Sequence, residues 1–197
     1  MGVKLPGILP VKTLSWEDLK GKKIGIDASN SIYQFLSSIR QKDGTPLMDS
    51  KGNITSHLMG ILTRTANLIE KNLFLVYIFD GKPPDLKFQT QQARRERKEK
   101  AHEKYKLAKD EEDIASMYKY SKQVTYLNNE MVQESKELIQ ALGIPIVQSP
   151  SEADAHGAFM VERNDLWGFN SSDADCLLHC CPRTITNLTL SQTRRLP

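Results

Sequence analysis

Cysteine is nearly absent from this chain: three residues in 197, Cys176, Cys180 and Cys181, crowd into six positions. That is no disulfide framework, and it fits a reducing, intracellular compartment. Also missing is any run of about 18 apolar residues, the signal for a membrane-spanning helix, so no membrane partner is expected. The N-terminus has no apolar segment of the secretory type. Met1-Gly2 opens like a myristoylation signal, but Pro6 stands where that motif needs Ser or Thr. There is no G-x-x-x-x-G-K-S/T loop and no G-x-G-x-x-G turn, which disfavours P-loop nucleotide hydrolysis and a dinucleotide cofactor. No G-x-S-x-G nucleophile elbow occurs either. Asp27 is followed by Ala28-Ser29, so the Asp-x-Asp pattern of one phosphatase class is absent too. Internal repeats are lacking.

What is present describes an ordinary globular chain, 39% hydrophobic and 26% charged, long enough for one domain or one domain with an insertion. Its net charge of +3 is unevenly placed. Nine Lys or Arg residues and three Glu lie between Lys87 and Lys109, giving that window +6 and leaving −3 for the remainder. A mildly acidic body with one basic segment is the electrostatic footprint of phosphate-backbone contact. A solvated helix with internal pairs such as Glu96 and Lys100 is the alternative.

Short apolar runs alternate with helical periodicity. Strands are predicted over 23–26, 73–79, 144–147, 166–169 and 184–188, and helices over 30–41, 55–71, 129–142 and 151–163. In the 55–71 helix the apolar face comprises Leu58, Ile61, Leu62, Thr65 and Leu68; Gly143 closes the 129–142 helix. Residues 86–127 differ. Their first half has almost no apolar stripe, so it cannot lie flat on a core, and only a weak one follows at Ile114, Met117, Tyr118 and Val124. The organisation expected is a core in two parts, 1–84 and 128–197, around a basic helical arch at 85–127. The fold class is α/β, with a largely parallel central sheet flanked by helices.

In such sheets the ligand site lies beyond the carboxyl ends of the strands. Asp27 and Asp80 stand at two of those ends. Glu152 with Asp154, and Asp173 with Asp175, follow two more. Each acid alone has a plain explanation as a turn or helix-start residue. Four strand ends all supplying acids argue for a joint purpose. Crowded carboxylates repel unless cations intervene. Oxygen ligands without His or Cys select Mg²⁺ or Mn²⁺, and six suit a two-metal phosphoryl-transfer site.

Several segments carry a resemblance: IGIDASNSIYQFL (24–36), TSHLMG (55–60), VYIFDGKPP (76–84), GIP (143–145), PSEA (150–153) and DADCL (173–177). In order, and over essentially the whole chain, they resemble the flap endonuclease family of structure-specific 5′ nucleases. The loop KDGTPLMDSKG (42–52) is most similar to archaeal members. The resemblance implies an Mg²⁺-dependent endonuclease and 5′-3′ exonuclease acting on 5′-flap DNA in replication and repair, with Mn²⁺ as a substitute ion. It places all six acids at metal-ligand positions, Asp154 standing where Glu is usual, a ligand one methylene shorter. Lys87 and Arg94 match arch residues that approach the scissile phosphate, and their seven-residue spacing puts them on one helix face. Gly2, Tyr33, Arg40, Arg64 and Lys82 match DNA-contacting positions. For Tyr33, core packing is an equal alternative, and His57 reads as structural.

Two departures stand out. LHCCP (178–182) replaces an apolar-Gly-small stretch; with Cys176 it offers thiols and His179, but not the spacing of a zinc ribbon. The chain also stops at Pro197, where the family continues with a further metal-ligating aspartate, a helix–turn–helix element and a segment for the sliding clamp. The expectation is therefore a truncated, feebly active N-terminal portion without the helix–turn–helix region, cytoplasmic or nucleoid-associated if archaeal and nuclear if eukaryotic. Rival readings are a DNA-binding remnant without catalysis and a metal-dependent ribonuclease.

Overall fold

A computed structural model describes residues 11–41, 44–82 and 127–188 of the chain. Among them five strands form one sheet, β1 (Lys23–Asp27), β2 (Phe74–Phe79), β3 (Ile146–Gln148), β4 (Gly168–Asn170) and β5 (Thr184–Ile185). Their order is β3-β2-β1-β4-β5, and every pairing is parallel. The helices are α1 (Trp16–Leu19), α2 (Ala28–Ser38), α3 (Ser56–Glu70), α4 (Asn129–Ala141), α5 (Ala153–Glu162) and α6 (Asp175–Leu178). The expected α/β class and parallel sheet are thus present; the arch at 85–127 lies, except for Leu127, outside the described residues. None of the described helices is long and apolar enough to cross a membrane.

A parallel sheet covered on both faces needs apolar side chains on both, and β2 supplies them by simple alternation. Leu75, Tyr77 and Phe79 enter the core shared with α2, α3 and α4. Val76 and Ile78 enter a second core, where Phe169, Ala153, Ala158 and Val161 bring in β4 and α5. Glycine permits the two closest helix approaches. A Cβ on Gly60 would stand 2.2 Å from Cγ of Phe35, and one on Gly157 would stand 2.5 Å from Cδ2 of Phe169.

The element boundaries depart from the periodicity for identifiable reasons. Helix α2 begins at Ala28 because Asp27 itself is its N-cap, and it ends at Ser38 because Ile39 is extended. Strand β4 starts late because the Leu166 N–H is still bonded to the carbonyl of Met160, finishing the turn after α5. Leu62, placed on the buried face of α3 by spacing, is exposed; His57 and Gly60 take part in that face instead.

Candidate active site at the carboxyl edge of the sheet

Because the strands are parallel, their carboxyl ends share one edge, and the acids gather there. Asp27 is both the last residue of β1 and the cap of α2. Its Oδ1 accepts from the Asn30 N–H at 2.9 Å and its Oδ2 from the Ser171 hydroxyl at 3.3 Å. Burial pushes its carboxyl up to about 7, and the neighbouring charges of Asp154 and Asp80 add to the rise. Asp80, just past β2, accepts the Ala153 N–H at 2.8 Å. That bond satisfies the start of α5, whose own cap residue, Glu152, makes no side-chain capping bond.

Asp154 lies in the first turn of α5, half-buried. Desolvation pushes it up to about 6, with Asp173, Asp175 and Asp80 contributing repulsion. Its Oδ1 is buried without a hydrogen-bond partner. Asp173 is exposed at the turn after β4, its Oδ1 accepting the Ala174 N–H at 2.7 Å, and Asp175 opens α6. A buried, orphaned carboxylate oxygen facing repelling neighbours fits a site for hard cations. Among the described residues, no three His, Cys, Asp or Glu side chains close to direct ligation distance as they stand. An ion that keeps several of its waters, as Mg²⁺ does, matches so open a set.

The other predicted residues divide. Tyr33 is 40% exposed on α2, away from the helix positions that pack into the core. Lys82 is exposed two residues beyond Asp80. Arg40 donates to the carbonyls of Ser37 and Gly44, bracing the loop between α2 and α3. Arg64 donates to Gln34 Oε1 at 2.8 Å and stacks on Phe35, tying α3 to α2. Gly2, Lys87 and Arg94 lie outside the described residues. In the LHCCP departure, Cys176 is buried with its Sγ 3.3 Å from Thr184 Oγ1, whereas Cys180 is exposed. His57 is fully buried, as a structural role requires, with Nε2 3.1 Å from Glu134 Oε2.

Sequence reasoning missed Ser171, treating it as part of a linker. It is 1% exposed at the end of β4 and reaches Asp27 across the edge. The available signal was a small hydroxyl residue at a strand's carboxyl end, between an apolar strand and an acid pair.

This geometry defines an α/β domain with a carboxylate-lined sheet edge. The XPG N-terminal domain family matches residues 1–101 and the XPG I-region family residues 143–196. Flap endonuclease 1 of Pyrococcus furiosus is 48% identical over 197 residues, covering 100% of this chain and 58% of the relative. That of Sulfurisphaera tokodaii is 50% identical over 188 residues, 94% of this chain and 54% of the relative. In three dimensions the flap endonuclease-1 structure from Methanococcus jannaschii matches with a TM-score of 0.73 and 44% identity, over 97% of this chain and 61% of that one. The catalytic core of Rad2, solved in complex with DNA substrate, matches with a TM-score of 0.65 and 27% identity over 90% of this chain and 47% of that one. The chain belongs to the XPG family and, within it, resembles the flap endonucleases throughout its length. It spans a little under three fifths of the curated relatives it matches.

Proposed function

We propose that this chain forms the nuclease core of a structure-specific 5′ nuclease, hydrolysing phosphodiester bonds near the junction of a single-stranded 5′ flap with duplex DNA. The observation that carries the reading is the set of mutually repelling acids at the carboxyl edge, in a chain of this family. Asp27, Asp80, Glu152, Asp154, Asp173 and Asp175 would hold two Mg²⁺ ions, with Mn²⁺ able to replace them. Bound there, such ions supply a more acidic water and neutralise charge on the phosphoryl oxygens. The protein's own contribution is to fix the acids by hydrogen bonds from helix N-termini, so little reorganisation accompanies reaction. Lys87 and Arg94 are proposed to offset the charge developing at the scissile phosphate. Tyr33 and Lys82, both exposed, are proposed to meet DNA directly, with Gly2, Arg40 and Arg64 as further DNA contacts. A sliding clamp is a proposed partner of the full-length protein.

Incubation with labelled 5′-flap DNA and Mg²⁺, beside matched RNA, tests the reading. Junction-proximal cleavage of DNA is expected, abolished by Asp173→Ala with flap binding retained. Arg94→Ala should slow single-turnover cleavage more than it weakens binding. Undiminished cleavage in excess chelator, or binding without any cleavage under all divalent conditions, would overturn it.

A further inference from the structure

One hydroxyl links two of the acidic residues. Ser171 is the first residue beyond β4, fully enclosed at 1% exposure. Its Oγ donates to Asp27 Oδ2 at 3.3 Å and accepts the Asp173 N–H at 3.2 Å. These partners come from different elements: the end of β1 and the turn after β4. A serine hydroxyl has one hydrogen and two lone pairs. With one lone pair held by the Asp173 amide, its single hydrogen serves Asp27. The carboxylate oxygens it leaves unserved remain available to a cation. Asp154 Oδ1, buried and unpartnered, is one of them.

We propose that Ser171 is a positioning residue for the cation site, orienting Asp27 and fixing the backbone of Asp173 through one buried hydroxyl. The inference rests on the reading of this edge as a divalent-metal site. Residues that orient metal ligands typically change affinity by about 10–100-fold when removed. A serine serving packing alone would instead alter thermal stability and leave cation affinity unchanged.

The test is Mg²⁺ and Mn²⁺ binding to the whole chain, by calorimetry and by cation-induced thermal shift, in wild type, Ser171→Ala, Ser171→Cys and Ser171→Thr. Loss of the hydroxyl should weaken cation binding by about 10–100-fold in the Ala and Cys variants, whereas Thr, which keeps it, should stay near wild type. The Mg²⁺ concentration for half-maximal flap cleavage should rise by a similar factor, with the rate at saturating Mg²⁺ falling less. Cys matches Ser in size, so it decides the matter if Ala fails to fold. Wild-type affinity in the Ala or Cys variant would overturn the role of Ser171 while leaving the metal site standing. Absence of cation binding by wild type itself would overturn the underlying reading, and this proposal with it.

Discussion

The carboxylate of Asp80 caps a helix that begins 73 positions later, its Oδ1 accepting the N–H of Ala153 at 2.8 Å. Capping and metal ligation are alternatives when the sequence is read one residue at a time. In the proposed site they use different oxygens of one side chain: Oδ1 anchors the helix, and the second would serve a cation. Asp27 and Asp173 likewise use one oxygen to accept a backbone N–H, from Asn30 and Ala174.

This division predicts that two substitutions at Asp80 will separate. Asp80→Asn keeps an acceptor for Ala153 while removing the charge. It should retain stability, or gain some in chelator as repulsion is relieved, and lose Mg²⁺-dependent cleavage. Asp80→Ala should lose cleavage and also destabilise by about 0.5–2 kcal/mol, the usual cost of a lost cap. Denaturant melts of both variants in chelator decide it, and equal stabilities would mean that the bond to Ala153 contributes nothing.

Metal removal should expose the strain at Asp27. Its folded carboxyl titrates at about 7, above the usual unfolded value near 3.8. The folded state therefore binds this proton more tightly, so the associated stability is full at low pH and is lost as pH rises from about 4 to 7. In chelator, Asp27→Asn should be more stable than wild type at pH 7.5, and that advantage should shrink at pH 5. With Mg²⁺ the order should reverse, because only wild type gains from binding the ion. Thermal melts at both pH values, with and without Mg²⁺, would refute this by showing a constant difference.

Much of the fold was legible because burial leaves a period. Strand β2 reads at once as an apolar run, and Gly143 marks the end of α4. What the periodicity could not deliver were features decided by a distant partner. Leu62 fits the helical spacing of α3, yet that face is set by Phe35 pressing on Gly60, which rotates Leu62 outward. Glu152 stands at the cap position of α5, but Asp80 supplies the capping bond from the end of β2. The acids were legible because strand ends announce themselves. Ser171 was not, because nothing local distinguishes a serine that bridges 144 residues from one that fills a turn.

The helix ends predict a stabilising change. Helices α3, α4, α5 and α6 are each followed by a residue in the left-handed region: Asn72, Gly143, Asn164 and Cys180, with φ of 60°, 73°, 64° and 56°. Glycine and asparagine tolerate this, whereas cysteine carries a Cβ penalty of about 1–2 kcal/mol. After α6 the geometry is otherwise complete, with the Cys180 N–H bonded to Leu177 O and the Cys181 N–H to Cys176 O. Cys180→Gly should stabilise by about 0.5–1 kcal/mol, since the greater freedom of glycine in the unfolded chain offsets part of the gain. For a chain of this size that is a rise of about 1–4 °C in Tm. An unchanged or lower Tm would mean that this turn is relaxed with cysteine in place.

The last prediction concerns His57, remote from the acidic edge. Its ring is fully buried in α3, with Nε2 3.1 Å from Glu134 Oε2 on α4 and Nδ1 without a partner. Burial lowers its pKa, and Glu134 only partly opposes this. The folded state therefore resists taking up a proton that the unfolded chain accepts once pH falls below about 6.5. Stability contributed by the neutral ring is present above that value and drains away as pH decreases. Wild type should lose stability relative to His57→Gln between pH 7 and pH 5, in the same buffer and with Mg²⁺ fixed. Removing Glu134 should steepen the loss, because the one partner that favours the protonated ring is gone. Paired melts of wild type, His57→Gln and Glu134→Gln measure both effects. If the wild-type and His57→Gln curves ran parallel across this range, the buried imidazole would be exchanging protons as freely as in the unfolded chain.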